Sequence, residues 1–190
     1  MQTNSRTLAY VSLFAALIAV FGLIPKIDLP LGVPITLQTL GVMLAGCLLG
    51  GRRAALAVVL FLVGVALGLP LLSGGRGGLG VFMAPSAGYL LGWAPGAWLC
   101  GALMARLPSA TPRSGAASAA LASLVGGLLL VHATGVVGLV LLAHLGWKQA
   151  LLGTLVFVPG DLIKCGFTAA VVHTVARGLP DWSLGGRALK

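Results

Sequence analysis

Two opposite charges one helical turn apart, Asp161 and Lys164, stand in the segment Pro159-Gly160-Asp161-Leu162-Ile163-Lys164, inside a strongly apolar stretch. Pro159 suits the opening of a helix, where its missing N–H would have no partner in any case. Asp161 then falls in the first turn, where the positive end of the helix dipole favours a carboxylate. Lys164 follows three residues on along the same face. A charge in a membrane interior costs about 2.5–3.5 kcal/mol on insertion scales, so such a pair needs a reason. It is either a structural ion pair, with the lysine reaching toward water, or a ligand site. In a ligand site the Asp accepts N–H donors and the Lys meets an anionic or carbonyl oxygen.

Other polar groups are few. Val33-Pro34-Ile35-Thr36-Leu37-Gln38-Thr39 carries Gln38, which both donates and accepts. Gln38 is expected within reach of Asp161, or else in an interhelical hydrogen bond. Ser73-Gly74-Gly75-Arg76-Gly77-Gly78-Leu79-Gly80 contains a formal dinucleotide fingerprint. No βαβ unit surrounds it and no acidic residue follows at the required distance, so it is rejected. The segment reads as a lid or a close-packed cap. There Arg76 meets a ligand carboxylate or solvent, and Tyr89 offers a ring and a hydroxyl. His132 reads as a neutral, hydrogen-bonded packing histidine. The chain has no phosphate-binding G-x-x-x-x-G-K-[ST] loop, no H-E-x-x-H and no Glu. Ser86 with His132 or His144 lacks a G-x-S-x-G context. Cys47, Cys100 and Cys165 stand singly, which argues against a zinc site or disulfide framework. Neither an enzyme nor a metal or other cofactor is expected, and any pumping must draw on partners or a gradient.

These residues need elements to hold them. Of 190 residues 58% are hydrophobic and only 8% charged, with mean hydropathy +1.07. A soluble domain carries about 25% charged residues. The apolar stretches are continuous rather than alternating, which selects helices over a barrel. Six segments, 8–24, 35–49, 54–69, 86–107, 116–143 and 160–176, predict a single all-α transmembrane domain over 1–190. Breakers separate them at Pro25, Pro30, Pro34, Gly50-Gly51, Pro70, Pro108, Pro112 and Pro159. A full span takes roughly 20 residues, so the second and third segments are short. The fifth is long and is expected to break before Trp147 into a span and a re-entrant piece. Arg6 precedes the first apolar run, which lacks a small-residue cleavage site and reads as an uncleaved helix.

Six spans put both termini on one side. That side carries Arg6, Arg52, Arg53, Arg106, Arg113, Arg177, Arg187 and Lys190, against Lys26, Arg76 and Lys148 opposite. Positive loops favour the cytoplasm, so both termini are expected inside. The net charge of +9 is thereby topogenic, and nucleic acid is not an expected partner. Small residues at four-residue spacing, Gly46/Gly50, Gly64/Gly68 and Gly88/Gly92/Gly96, predict close helix packing within the bundle. Ala15/Ala19 on the first helix faces either the bundle or a partner, and self-association is left open.

The segments Val33–Gly41, Gly74–Gly80, Pro85 with Gly88-Tyr89-Leu90-Leu91-Gly92, and Pro159–Lys164, in this order, resemble the BioY family. These are biotin-specific substrate-binding (S) components of energy-coupling factor (ECF) transporters. The resemblance runs from the first helix to the last. It implies a six-helix bundle in the cytoplasmic membrane that captures biotin from outside and works with a transmembrane coupling (T) protein and ATPase (A) subunits. The family's last-helix Asp and Lys correspond to Asp161 and Lys164. Its small-residue face for docking on the coupling protein corresponds to Ala15 and Ala19. Ser86-Ala87 departs from the Thr-Gly pair of many relatives. Biotin would be cargo, its ureido N–H groups accepted by Asp161 with Gln38 and Tyr89 supplementing. Lys164, with Arg76, would neutralise an oxygen. An S component for another small vitamin, or an autonomous biotin facilitator, is the competing reading.

Overall fold

The computed structural model describes residues 2–28 and 32–186, so Pro30, Arg187 and Lys190 lie outside the described residues. Among the described residues, eight α-helical segments form six rods. Helices α1 (Gln2–Gly22), α2 (Gln38–Leu49), α3 (Gly51–Ala66) and α4 (Ala87–Met104) each make one rod. The fifth rod joins α5 (Pro112–Ala122) through a π-helical stretch, Ser123–Leu130, to α6 (Val131–Leu142). The sixth joins α7 (Trp147–Thr154) through a 3₁₀ turn, Leu155–Phe157, to α8 (Val158–Gly178). Among the described residues there is no β-strand, only the isolated bridges Ile27–Ile35 and Leu72–Arg76. The fold is a six-helix all-α bundle, as expected from the apolar segments.

Ser5–Gly22 and the two composite rods, Pro112–Leu142 and Trp147–Gly178, are each long and apolar enough to cross a bilayer. The 31-residue fifth rod reaches about 46 Å at 1.5 Å per residue, against roughly 30 Å of hydrocarbon. It stays continuous where a re-entrant break was expected, because the π-helical stretch takes up the irregularity without ending the hydrogen-bonded ladder. The sixth rod begins at Trp147 rather than near 160, since Pro159 occupies the first turn of α8 and removes no needed donor. Helix α2 starts three residues later than expected. Ile35 instead exchanges backbone hydrogen bonds with Ile27 at 2.9 and 3.1 Å, holding Val33–Leu37 outside the helix. Gly50, at φ 85°, separates α2 from α3.

The packing explains the short helices. With only 12 residues, α2 is about 18 Å long, yet every residue in it except Thr39 is buried. It packs against α1, α3, α4 and α8, so its ends meet protein rather than lipid, the condition for irregular backbone at membrane depth. On α1 the buried positions are Val11, Phe14, Ala15, Ile18 and Gly22, a single helical stripe. On α8 they are Asp161, Lys164, Cys165, Thr168 and Val172, the same spacing with the charges on the inner face. Leu13, Leu151, Leu155, Ile163 and Phe167 point outward and are more than half exposed, as a lipid-facing surface requires.

The Gly88/Gly92/Gly96 face of α4 is an internal contact, as its spacing suggested. A Cβ on Gly88 would stand 2.7 Å from the Gly138 Cα, and one on Gly92 would stand 2.0 Å from the Thr134 hydroxyl. No side chain fits between these backbones, so α4 and α6 approach as closely as small-residue packing allows.

Candidate ligand-binding site

Beside α2, the α6 and α8 faces converge on a cavity that opens to one side, about 550 Å³ when the space at its mouth is included. Asp161, 5% exposed, lies at its wall. The Lys164 ammonium donates to Asp161 Oδ1 at 2.6 Å and to Thr39 Oγ1 at 2.8 Å. The other carboxylate oxygen, Oδ2, lies 2.8 Å from His132 Nε2. A carboxylate can only accept, so that ring nitrogen carries the proton. Three elements (α2, α6 and α8) thus meet at one carboxylate. Pair formation offsets part of the desolvation cost, yet a buried ion pair rarely outdoes well-packed apolar side chains in stability. Stability alone does not account for it.

An aromatic group stands beside the charges. Tyr89 of α4, His132 and Phe157 pack edge-to-face or tilted, with ring centroids 5.7–6.2 Å apart. The Tyr89 hydroxyl shares a 2.7 Å hydrogen bond with Thr154 Oγ1. Gly135, one turn along α6 from His132, makes room for this ring: a Cβ there would fall 2.3 Å from Tyr89 Cε1.

The far wall is the cap. Gln38 donates to the carbonyls of Ile18 and Leu71, both at 3.1 Å, and its amide oxygen accepts from the Ser73 backbone N–H at 3.2 Å. The Ser73 hydroxyl donates toward the Gly22 and Ile24 carbonyls at 3.3 Å. The glycine-rich segment is therefore a cap anchored through Ser73 to the end of α1 and the start of α2, while Gly75, Gly78 and Gly80 border open space. Arg76 lines the cavity half-buried, its Nε donating to the Ser73 carbonyl at 3.4 Å.

Asp161, Lys164, Gln38, Tyr89 and Arg76 all line the one cavity, but their duties differ. The Gln38 amide is engaged in holding the cap rather than bonded to Asp161. His132 does more than pack, because it fixes the carboxylate, and Thr39 does the same for the ammonium. Sequence spacing could not reveal either one, since their partners lie 29 and 125 residues away. The π-helical stretch just before His132 is the nearest local signal, because such bulges often mark functional sites. Away from the cavity, Ala15 is 8% exposed and belongs to the bundle core, and Ala19 is half-buried. The exposed side of α1 carries Ala9, Ser12 and Ala16 instead.

A lipid-facing bundle holding a largely apolar cavity with a buried ion pair at its wall defines a membrane-embedded solute-binding protein. The particular kind follows from comparison with known proteins. The model of the BioY family matches residues 1–181, and the chain belongs to that family. It is 45% identical over 181 residues to a "Biotin transporter BioY" of Rhizobium etli, covering 93% of this chain and 96% of that one. It is 44% identical over 187 residues to the protein of the same description from Rhodobacter capsulatus, with the same coverage. The fold matches a crystal structure of the S-component for biotin from an ECF-type ABC transporter, with TM-score 0.85, 32% identity and 93% of each chain covered.

Proposed function

We propose that this chain is the biotin-capturing S component of an ECF-type transporter, taking up biotin across the cytoplasmic membrane. The observation that carries this reading is the buried Asp161–Lys164–His132–Thr39 network, which lines an aromatic cavity in a nearly uncharged bundle. Biotin complements such a wall: it offers two ureido N–H donors, a carbonyl acceptor, an apolar bicycle and a carboxylate. The charge distribution over the loops supports an orientation with both termini in the cytoplasm and the cap outside. Biotin then enters from the cap side.

ATP hydrolysis resides in partner ATPase subunits, coupled through a transmembrane T protein. The burial of Ala15 favours the Ala9/Ser12/Ala16 side of α1, with Ala19 at its edge, as the face that meets the T protein.

Calorimetric titration of purified protein in detergent tests the capture step, with saturable one-to-one biotin binding expected. Preference for another vitamin would overturn the ligand assignment. Vesicles holding only this chain are expected to show no uptake. Uptake by them would instead establish an autonomous facilitator.

A further inference from the structure

At the end of the bundle where α1 begins and α8 finishes, three basic side chains from two helices converge. Arg113 of α5 lines one open hollow with His173 and Arg177 of α8. Both arginines are exposed and His173 is half-buried. No carboxylate among the described residues answers them. Asp28 pairs with Lys26, Asp161 with Lys164 and His132, and Asp181 lines a separate hollow with Arg6 and Arg53. The chain has no Glu. The Arg6–Arg53 cluster thus has an anion beside it, whereas the Arg113–His173–Arg177 cluster has none. Topogenic charge is counted per loop and does not require side chains of two helices to share one hollow.

Beneath these side chains the surface is apolar and faces lipid. On α8, Arg177, His173, Ala170, Gly166 and Ile163 follow spacings of four and three, which is one helix face. A Cβ on Gly166 would meet nothing, and Ala170 and Ile163 are exposed. The stripe is therefore a shallow, uncovered channel. On α5, Arg113, Ala117 and Leu121 are exposed at every fourth position. From His173 to Ile163 the channel runs ten residues, about 15 Å at 1.5 Å per residue. That is half of the roughly 30 Å of bilayer hydrocarbon, the depth of one leaflet.

We propose that this hollow binds the phosphate of an anionic phospholipid, with one acyl chain laid along Ala170, Gly166 and Ile163. Arginine forks suit phosphate oxygens, which accept two parallel N–H bonds, and the His173 ring adds a further donor. A headgroup with its own cation, such as choline, would set that charge against Arg113 and Arg177, and a glycerol headgroup would not. In the orientation proposed above, the hollow lies in the cytoplasmic leaflet, whose surface is negative. Held across α5 and α8, the lipid ties together the two rods that carry His132 and Asp161.

The test is native mass spectrometry and thermal unfolding of the full-length chain in detergent, titrated with phosphatidylglycerol and with phosphatidylcholine of the same chains. Wild type is expected to retain one phosphatidylglycerol, to prefer it about tenfold or more, and to unfold at a higher temperature with it. Arg113→Gln with Arg177→Gln is expected to abolish the preference. Arg52→Gln with Arg106→Gln, an equal change of charge at the same end, is expected to keep it. Equal loss in both pairs would show diffuse surface charge and overturn the proposal. Ala170→Trp fills the channel and is expected to weaken phosphatidylglycerol binding about fourfold or more, the loss of one buried methylene. Unchanged affinity in that variant, or displacement of the lipid by glycerol phosphate at equal concentration, would refute a seated lipid. Should the arginine pair fail to fold, wild type photolabelled by phosphatidylglycerol with a diazirine in its acyl chain decides. Label at residues 163–170 is expected, and label absent from α8 refutes the seat. Biotin enters none of these readouts, so the lipid proposal stands or falls apart from the ligand assignment.

Discussion

His132 and Asp161 are joined at 2.8 Å across the two longest rods of the bundle. This bond sets the carboxylate in place: with Oδ2 held by the imidazole and Oδ1 by Lys164, Asp161 cannot rotate without losing one partner. The site is preorganised before any ligand arrives, which reduces the ordering cost of binding.

Replacing His132 with Leu removes one charge-assisted hydrogen bond and leaves the Asp161–Lys164 pair intact. Such bonds contribute about 1.5–3 kcal/mol. Biotin affinity is expected to fall by one to two orders of magnitude, while His132→Gln, which keeps a donor, recovers part of it. Calorimetric titration of the two variants side by side checks this, and equal affinities for both would refute the hydrogen-bonding role.

Asp161→Asn strands a buried ammonium, and breaking one side of a buried pair costs about 3–5 kcal/mol. That variant is expected to lose both binding and thermal stability. The double variant Asp161→Leu with Lys164→Met removes both charges together. It is expected to unfold at or above the wild-type temperature and still fail to bind biotin. A double variant that binds would show that the pair serves the fold and not the ligand.

Gly135→Ala places a methyl group against the Tyr89 ring. Relief requires the ring to move, breaking its bond to Thr154, at a cost of about 1–3 kcal/mol for overpacking. A lowered unfolding temperature and weakened biotin binding are expected together. Adding Tyr89→Leu, which vacates the space, should restore the stability and not the binding.

On α1, Ala16 is exposed and Ala15 is buried. Ala16→Trp is expected to leave biotin affinity within twofold of wild type and to abolish ATP-driven uptake with coupling partners present. Ala15→Trp forces a bulky ring into the core and should lower thermal stability instead. Unimpaired uptake by Ala16→Trp would place the docking face elsewhere.

Much of this was legible in the linear chain because it follows from local rules. Continuous apolar runs in a chain with 8% charged residues leave only helices that satisfy their own backbone in lipid. Pro159, Asp161 and Lys164 reveal a charged helix opening because their relation spans a single turn. The small-residue face of α4 is readable for the same reason. Boundaries were less so: α7 and α8 run on through a 3₁₀ turn that Pro159 tolerates, and the start of α2 was set by the Ile27–Ile35 bridge.

What depends on contacts between distant segments belongs to the tertiary structure. His132, Thr39 and Trp93 look like ordinary residues of apolar helices until the bundle closes. Closure brings His132 and Thr39 to the Asp161–Lys164 pair and turns the Trp93 indole toward the same cavity. Gln38 shows the converse, a conspicuous polar residue whose amide is spent on clasping the cap. Burial explains both outcomes. A polar group removed from water must find a partner, and only the packed arrangement of all six rods decides whether that partner is the protein or its guest.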